Sequence, residues 1–260
     1  MFCHIIGFPL KKPRSVKLWT EFFKQKKINI NMSALEVHPN NFVKEITRLK
    51  KDNHFLGSAI TMPYKEKIIK HVIYGNQISK YSKSINLIIK NKKSELVGYN
   101  TDVLGALKSL EKVKKKNIII YGFGGTGKPL FYILKKKYKS SKFLIISSKK
   151  QVNIKKFKNV IVKKKIQKED LFNLDLFINC SPLGSDLKKK FIKMSPLNRI
   201  HFKQINKKVF IFDIVYKPKK TLLNKICNDY GIKYLNGIKM NTIQAAEALK
   251  YISLKLKKIR

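Results

Sequence analysis

The sequence predicts an α/β fold of two domains, and three observations support this prediction. The 260 residues exceed the usual size of a single domain, roughly 100 to 150 residues. Strand-like and helix-like segments alternate through the first hundred residues, as they do where helices pack on a sheet. A second alternating series begins at residues 117–121, Asn-Ile-Ile-Ile-Tyr, the most strand-like segment of the chain.

The first half of the chain predicts strands, helices and a closing hairpin. Apolar runs that stop at polar residues, Gly or Pro predict strands at 2–6, 28–32 and 55–60. The first strand is followed by a helix, since apolar residues recur at spacings of three and four at Val16, Trp19, Phe22 and Phe23. A second helix is predicted over 40–50. The hairpin has strands 85–89 and 95–99, joined by a polar turn.

The second half predicts a βα series between two helices. The helix after Asp102 carries Val103, Leu107 and Leu110, and strands are predicted at 117–121, 143–147, 158–162, 175–179 and 209–213. The last segment, 239–258, predicts an amphipathic helix whose apolar stripe comprises Met240, Ile243, Ala246, Leu249, Ile252 and Leu256.

The composition is that of a folded protein. Hydrophobic residues make up 43% and aromatic residues 11% of the sequence, which is enough apolar material for a core. No run reaches the roughly 18 apolar residues of a membrane span, and the start lacks the pattern of an export signal. The three cysteines are too few for a disulfide framework and lack metal-ligand spacing. A cytoplasmic protein without a metal is therefore expected.

The charge is strongly basic, with 58 Lys and Arg residues against 15 Asp and Glu residues and a net charge of +43. Such a balance first suggests a nucleic-acid partner. The excess is nearly all lysine and is spread over the chain, whereas proteins that read phosphates and bases favour the bidentate guanidinium of arginine. We interpret the lysines as solvated surface that attracts anionic ligands, and expect neither a nucleic-acid nor a membrane partner.

A glycine-rich turn directly follows the strand at 117–121. It reads Gly122-Phe123-Gly124-Gly125-Thr126-Gly127 and leads into a predicted helix. Glycines in this G-x-G-x-x-G pattern let a pyrophosphate approach the backbone, where its charge faces the free N–H groups of the helix. The residues also fit G-x-x-x-x-G-K, but Pro129 stands where a P-loop needs Ser or Thr. The turn therefore predicts a dinucleotide site.

The residues after the next strand select the form of the dinucleotide. An acidic side chain at this point binds the ribose hydroxyls of NAD and repels a 2′-phosphate. The chain instead has Ser148, Lys149 and Lys150, a hydroxyl and two cations. NADP is therefore predicted over NAD.

A second group of polar residues lies in the first half. Lys65 ends the segment Thr61-Met62-Pro63-Tyr64-Lys65 after a buried strand, Asn86 lies in the hairpin, and Asn100-Thr101-Asp102 leads out of this half. Taken singly, a lysine at a strand end is usually a solvated charge and Asn-Thr-Asp is an ordinary helix cap. Their occurrence together favours a functional site.

With these segments in view, the sequence resembles the shikimate dehydrogenase family in order over nearly the whole chain. Gly7-Phe8-Pro9-Leu10 with Ser15 resembles the family's opening motif, and Ala59 to Lys65 resembles its N-V-T-x-P-[FY]-K segment. Residues 98–105 are similar to G-x-N-T-D-x-x-G. Further similar segments are Gly122 to Thr126, Ser148-Lys149, Asn179 to Gly184, Asp213 to Pro218, and Gly237 with Met240 and Gln244.

The resemblance implies a substrate-binding domain of residues 1–101 plus 237–260 and a Rossmann-like NADP domain of residues 102–236, with the active site in the cleft between them. It also implies the reaction, in which NADPH reduces the ring carbonyl of 3-dehydroshikimate to give shikimate for aromatic amino-acid synthesis. Lys65 and Asp102 would act at the reacting oxygen, with the acid/base role assigned to Lys65.

The resemblance further assigns the binding residues. Ser15 would hold the substrate carboxylate, and the other expected substrate contacts are Thr61, Asn86, Tyr216 and Gln244. Ile214 and Gly237 would lie by the nicotinamide. The alternatives without a functional role are that Ile214 is a core residue at the end of a strand, and that Gly237 forms a simple turn before the last helix. The resemblance does not assign an oligomeric state, and a homodimer is one alternative.

Several positions depart from the family pattern. Its first carboxylate-binding serine falls at Pro13, its Asn before V-T at Ala59, the Thr after Asn86 at Leu87, and the Leu after Met240 at Asn241. The retained Ser15 favours shikimate over quinate. A dehydrogenase of dual specificity is the alternative among enzymes, and a basic nucleic-acid-binding protein is the alternative from another class.

Overall fold

The computed structural model describes residues 1–10, 12–148 and 157–257. Its backbone contacts divide the chain into two compact units, unit 1 (Met1–Gly105 with Thr242–Arg260) and unit 2 (Ala106–Asn241). Within the described ranges, no helix combines the length and the apolar character needed to cross a bilayer. The architecture is α/β in both units, and the predicted fold class is confirmed.

Unit 1 contains a six-stranded mixed sheet. Its elements are β1 (Phe2–Gly7), α1 (Arg14–Gln25), β2 (Asn31–Glu36), α2 (Phe42–Lys51), β3 (Phe55–Ile60), β4 (Ile73–Tyr74), α3 (Gln77–Ser82), β5 (Leu87–Lys90) and β6 (Leu96–Tyr99). The strand order is β2-β1-β3-β5-β6-β4. The pairs of β1 with β2 and β3 are parallel, whereas β5 pairs antiparallel with β3 and β6.

Two apolar clusters cover the sheet of unit 1. Trp19 and Phe23 of α1 pack with Leu87 and Ile89 of β5 in one cluster. The other contains apolar residues of α2 together with Ile60 and Ile88. Because neighbouring residues of a strand point to opposite faces, Leu87 and Ile88 belong to different clusters.

Unit 2 contains a six-stranded sheet in which every pair is parallel. Helix α4 (Thr101–Ser109) leads into it, and its elements are β7 (Asn117–Tyr121), α5 (Gly127–Lys137), β8 (Lys142–Ile146), β9 (Val160–Lys163), β10 (Leu176–Asn179), α6 (Lys189–Ile192), α7 (Arg199–Phe202), β11 (Phe210–Asp213), α8 (Leu222–Asp229) and β12 (Lys233–Asn236). Helix α9 (Gly237–Lys257) begins in unit 2, and its residues from Thr242 onward belong to unit 1.

The strand order of this sheet is β12-β11-β10-β7-β8-β9. Counted from β7 this is 3-2-1-4-5-6 read in reverse, the order of dinucleotide-binding Rossmann sheets. The order reverses between β7 and β10, and ligands of such sheets bind at this switch point, beyond the carboxyl ends of the strands.

Two predictions of local structure were wrong, and two short strands were missed. The second strand begins at Asn31 and not at residue 28, because the chain first turns away from α1 through Ile28, whose N–H donates to Phe23 O at 2.9 Å. The short strands β4 and β12 were not predicted. In α9, Ala246 is exposed while Ala245 and Ala248 are buried, because repeated steps of three drift around a helix of 3.6 residues per turn.

Candidate active site

A lysine and a carboxylate form a close ion pair in unit 1. The Nζ atom of Lys65 lies 2.6 Å from Oδ2 of Asp102, and the side chains are 19% and 16% exposed. A charge-assisted bond of this length holds both groups in one geometry. Because the pair remains partly open to solvent, another molecule can reach it.

Lys65 is held by the buried residue that precedes it. Tyr64 is fully buried, stacks on Phe42 with ring centroids 4.1 Å apart, and donates a hydrogen bond from its hydroxyl to the carbonyl of Val37. The Lys65 carbonyl accepts a hydrogen bond from Ile85 N at 2.8 Å. These contacts fix the backbone of Lys65 beyond the end of β3.

Asp102 lies in the first turn of α4. Asn100 caps this helix, since its Oδ1 accepts the N–H of Val103 at 3.0 Å, and its own amide donates to Ser84 O at 2.8 Å. Asp102 is therefore held in a capped first turn, close to the N-terminus of the helix.

A buried polar network lies beside the pair in unit 1. Asn86 accepts the N–H of Thr101 at 2.7 Å and donates from Nδ2 to the Thr101 hydroxyl at 3.0 Å. That hydroxyl lies 3.2 Å from Oε1 of Gln244 in α9. The structure therefore joins two predicted residues, Asn86 and Gln244, through Thr101. Thr101 was not predicted as a site residue, although its place next to Asp102 was the available indication.

Ser15 and Thr61 are also in unit 1. Ser15 is the second residue of α1, and Thr61 follows β3, where its N–H donates to Ile6 O at 2.9 Å. Both are partly exposed. Within the described ranges, neither hydroxyl forms a hydrogen bond with another residue, so the structure does not tie them to the network of Asn86.

The glycine turn of unit 2 packs too closely for side chains at its two ends. Gly122 has φ +96°, in the left-handed region, and a Cβ there would lie 2.8 Å from the backbone nitrogen of Ser181. A Cβ on Gly127, the first residue of α5, would overlap the carbonyl oxygen of Gly122. Between them lie Phe123, buried against Phe131, and Thr126 at the helix start.

The two central glycines face open space. A Cβ on Gly124 or Gly125 would have no atom within 4 Å, and neither residue has a positive φ. The protein's own packing therefore does not require glycine at these positions. A free space against backbone at the N-terminus of α5 fits the pyrophosphate of a dinucleotide, which approaches N–H groups directly.

The residues predicted to select the cofactor follow β8. Ser148 is exposed just beyond this strand. Lys149 and Lys150 lie outside the described residues. The structure thus places the first of the three at the carboxyl edge of the sheet, the edge on which a Rossmann unit binds its ligand.

The turn after β11 carries Ile214 and Tyr216, both partly exposed. Ile214 N donates to Asn179 O, and Gly237 N donates to Val215 O, each at 3.1 Å. A Cβ on Gly237 would overlap the carbonyl oxygen of Ile214. Gly237, the first residue of α9, is therefore required for the close approach of this helix to the turn.

A buried carboxylate ends β11. Asp213 is completely buried, and desolvation raises the pKa of its carboxyl to about 6, although hydrogen bonds from Val215, Tyr234, Asn179 and Thr221 oppose the rise. Burial and the nearby Asp213 charge also raise the pKa of the Cys180 thiol. The sequence prediction did not single out Asp213 as a site residue.

The fold and the glycine turn define an α/β protein with a Rossmann-like unit, the type of unit that binds dinucleotides. Comparison with known proteins shows what the chain is similar to. Residues 5–88 match the model of the shikimate dehydrogenase substrate binding domain. The chain is similar to the shikimate dehydrogenase family over this segment.

Relatives of similar length are similar to nearly the whole chain. Shikimate dehydrogenase (NADP(+)) of Methanococcus vannielii is 28% identical over 257 residues, covering 93% of this chain and 87% of the relative. The enzyme of the same name from Clostridium botulinum is 28% identical, covering 94% and 93%. The crystal structure of shikimate dehydrogenase from Aquifex aeolicus has a TM-score of 0.83 at 26% identity and covers 100% of this chain and 97% of its own.

Proposed function

We propose that this chain catalyses the reversible reduction of 3-dehydroshikimate to shikimate with NADPH, in the synthesis of aromatic amino acids. The observation that carries the proposal is the ion pair of Lys65 and Asp102, 2.6 Å apart and partly open to solvent. The relatives' names support both the substrate and the cofactor.

Lys65 and Asp102 act on the oxygen of the ring carbonyl. NADPH, when bound, supplies the hydride that the carbonyl carbon accepts, and negative charge then develops on the oxygen. The Lys65 ammonium donates a hydrogen bond to that oxygen, stabilises its charge and transfers the proton that completes the hydroxyl. Asp102 keeps the ammonium oriented and accepts a hydrogen bond from a neighbouring substrate hydroxyl.

Neutral side chains orient the substrate in this proposal. The hydroxyls of Ser15 and Thr61 bind the carboxylate and a ring hydroxyl. Asn86 and Gln244 bind ring hydroxyls and are themselves held by Thr101. Tyr216 of unit 2 supplies a further hydrogen bond. Such a set of polar groups discriminates strongly against a substrate that leaves one of them unpaired.

Cofactor binding rests on unit 2. The turn from Gly122 to Gly127 receives the pyrophosphate, and Ile214 and Gly237 border the nicotinamide. Ser148, Lys149 and Lys150 bind the 2′-phosphate, which selects NADP over NAD. The cations add charge-assisted bonds that a carboxylate at this position would prevent.

The proposal extends to location and partners. A cytoplasmic enzyme agrees with the three cysteines, all of which are free thiols. The partner is a small-molecule substrate, with no nucleic acid, because the excess charge is dispersed lysine. The chain is also proposed to form a homodimer. Light scattering of the purified chain, which measures its mass in solution, would test this.

The experiment is an absorbance assay of NADPH formation with shikimate or quinate as the substrate and NADP⁺ or NAD⁺ as the acceptor. We expect the highest kcat/KM for shikimate with NADP⁺. Replacing Lys149 and Lys150 with Ala should narrow the preference for NADP⁺. Equal kcat/KM with NAD⁺ would contradict the choice of cofactor, and a higher kcat/KM with quinate would contradict the choice of substrate.

A further inference from the structure

One carboxyl in unit 2 accepts hydrogen bonds from four groups at the carboxyl edge of the sheet. Oδ1 of Asp213 accepts from Asn179 Nδ2 at 2.9 Å and from Val215 N at 3.0 Å. Oδ2 accepts from the hydroxyls of Tyr234 at 3.0 Å and Thr221 at 3.3 Å. The end of β10, the turn after β11, the start of α8 and β12 therefore converge on a single buried side chain.

The bond to Val215 fixes the turn that carries Ile214 and Tyr216. Val215 is held at both ends, since its N–H donates to Asp213 and its carbonyl accepts from Gly237 N at 3.1 Å. The close approach of Gly237 to Ile214 leaves no room for the turn to relax toward α9. Loss of the Asp213 acceptor would leave a buried N–H unpaired, which favours rearrangement of the turn.

The bond from Asn179 to Asp213 connects the carboxyl, through Ser181, to the glycine turn. With its amide held by Asp213, Asn179 presents Oδ1 to both the N–H and the hydroxyl of Ser181, at 3.0 and 2.7 Å. The Ser181 nitrogen is the atom that a Cβ on Gly122 would approach to 2.8 Å. Asp213 thus fixes, through Asn179, the loop that packs against the start of the cofactor turn.

We propose that Asp213 is a positioning residue for the cofactor, and that its carboxyl holds the turn after β11 and the loop after β10 in the arrangement that binds NADP. The inference rests on the proposed function and deepens it. Asp213 is completely buried and does not itself touch the cofactor. It acts through Val215 and Asn179, whose bonds converge on Oδ1.

The two bonds to Oδ2 provide a matched control. Thr221 caps α8, because its hydroxyl accepts the N–H of Asn224 at 3.1 Å while it donates to Asp213. In the part of the chain that the structure describes, the Thr221 and Tyr234 hydroxyls bond to Asp213 and to each other. A change at Thr221 should therefore lower stability without moving the cofactor-binding segments.

The test measures NADP⁺ binding to the full chain by calorimetry, together with the melting temperature. We expect Asp213→Ala to raise the Kd of NADP⁺ about tenfold, because two buried donors lose their acceptor. Asp213→Asn should keep the Kd within about twofold of the wild type, since its amide oxygen can still accept from Val215 and Asn179 while its NH₂ group donates to the hydroxyls. Thr221→Val should lower the melting temperature but leave the Kd within about twofold.

A second variant covers the case in which Asp213→Ala does not fold. Asp213→Glu keeps the charge but moves the carboxylate by the length of one methylene group. It should therefore raise the Kd of NADP⁺ about tenfold, whereas Asp213→Asn should leave this Kd within about twofold of the wild type. A wild-type Kd in Asp213→Ala or Asp213→Glu would overturn the inference, as would an equal rise in Thr221→Val. A wild-type chain that binds no NADP⁺ would instead refute the proposed function, and the inference with it.

Discussion

Gly124 offers a direct test of the cofactor turn, because stability and binding should change in opposite directions there. A Cβ on this residue would meet no atom within 4 Å, and its backbone does not have a positive φ. Gly124→Ala should therefore be accommodated by the fold. The added methyl group would, however, fill the space in which a pyrophosphate approaches the backbone.

The magnitudes follow from these two effects. Replacing Gly by Ala at a compatible position stabilises a protein by about 0.4–1 kcal/mol, because the unfolded chain loses conformational freedom. For a chain of this size the melting temperature should rise by about 1–4 °C. One hydrogen bond to a charged phosphate contributes about 1.5–3 kcal/mol. Its loss should raise the Kd of NADP⁺ by roughly tenfold to a hundredfold.

Differential scanning calorimetry and titration calorimetry with NADP⁺ measure the two quantities on the same sample. Gly127→Ala is the contrasting variant, since its methyl group would overlap the Gly122 carbonyl oxygen and should lower the melting temperature. If Gly124→Ala is at least as stable as the wild type and binds NADP⁺ equally well, the turn does not receive the pyrophosphate and the reasoning is refuted.

Three further predictions concern unit 1 and the buried carboxyl of unit 2. Lys65→Ala and Asp102→Ala should each lower kcat roughly 100-fold or more, with a smaller effect on KM. Lys67→Ala, at an exposed lysine two residues from Lys65, is the control and should leave kcat unchanged. Near-normal turnover in folded Lys65→Ala would contradict the mechanism. Pro13→Ser should lower KM for shikimate about fivefold, by restoring one hydrogen bond of roughly 1 kcal/mol to the carboxylate; an unchanged KM would argue against a role of this turn in binding. Burial raises the pKa of Asp213 from 3.8 to about 6, so the folded chain binds the proton more tightly than the unfolded chain, and stability falls as pH rises toward 6. Between pH 5 and pH 7, the wild type should lose about 1 kcal/mol of unfolding free energy relative to Asp213→Asn in urea titrations, and parallel pH profiles of the two proteins would refute this.

The fold was largely predictable because its sheets are buried and its strands apolar. The strand Asn117–Tyr121 matches its predicted bounds, since an uninterrupted apolar run after a lysine segment and before a glycine turn has few other interpretations. Strand β12 was not predicted because it is short and has polar residues, Lys233 and Asn236, at both ends. Its conformation is set by its pairing with β11. The sequence of such a short segment does not indicate that it pairs with another strand.

The site was predictable where one residue type at one place carries the chemistry. Lys65 and Asp102 are 37 positions apart, and only their membership in two recognisable segments suggested that they meet. Thr101 and Asp213 were harder to find, because each acts through hydrogen bonds to other side chains. A buried acceptor of four hydrogen bonds resembles any other strand-end aspartate until its neighbours are placed around it.

Two departures from the family pattern, Ala59 and Leu87, are cross-strand partners of β3 and β5. Leu87 is completely buried in the apolar cluster that contains Trp19, and Ala59 packs against the same cluster. A polar side chain on this face needs a hydrogen-bond partner, and removing one member of a polar pair would leave the other unsatisfied. Both positions are apolar in this chain, so neither leaves a buried polar side chain without a partner. The side-chain hydrogen bonds of Asn86 run to Thr101, so the polar network of unit 1 does not depend on a polar side chain at either position.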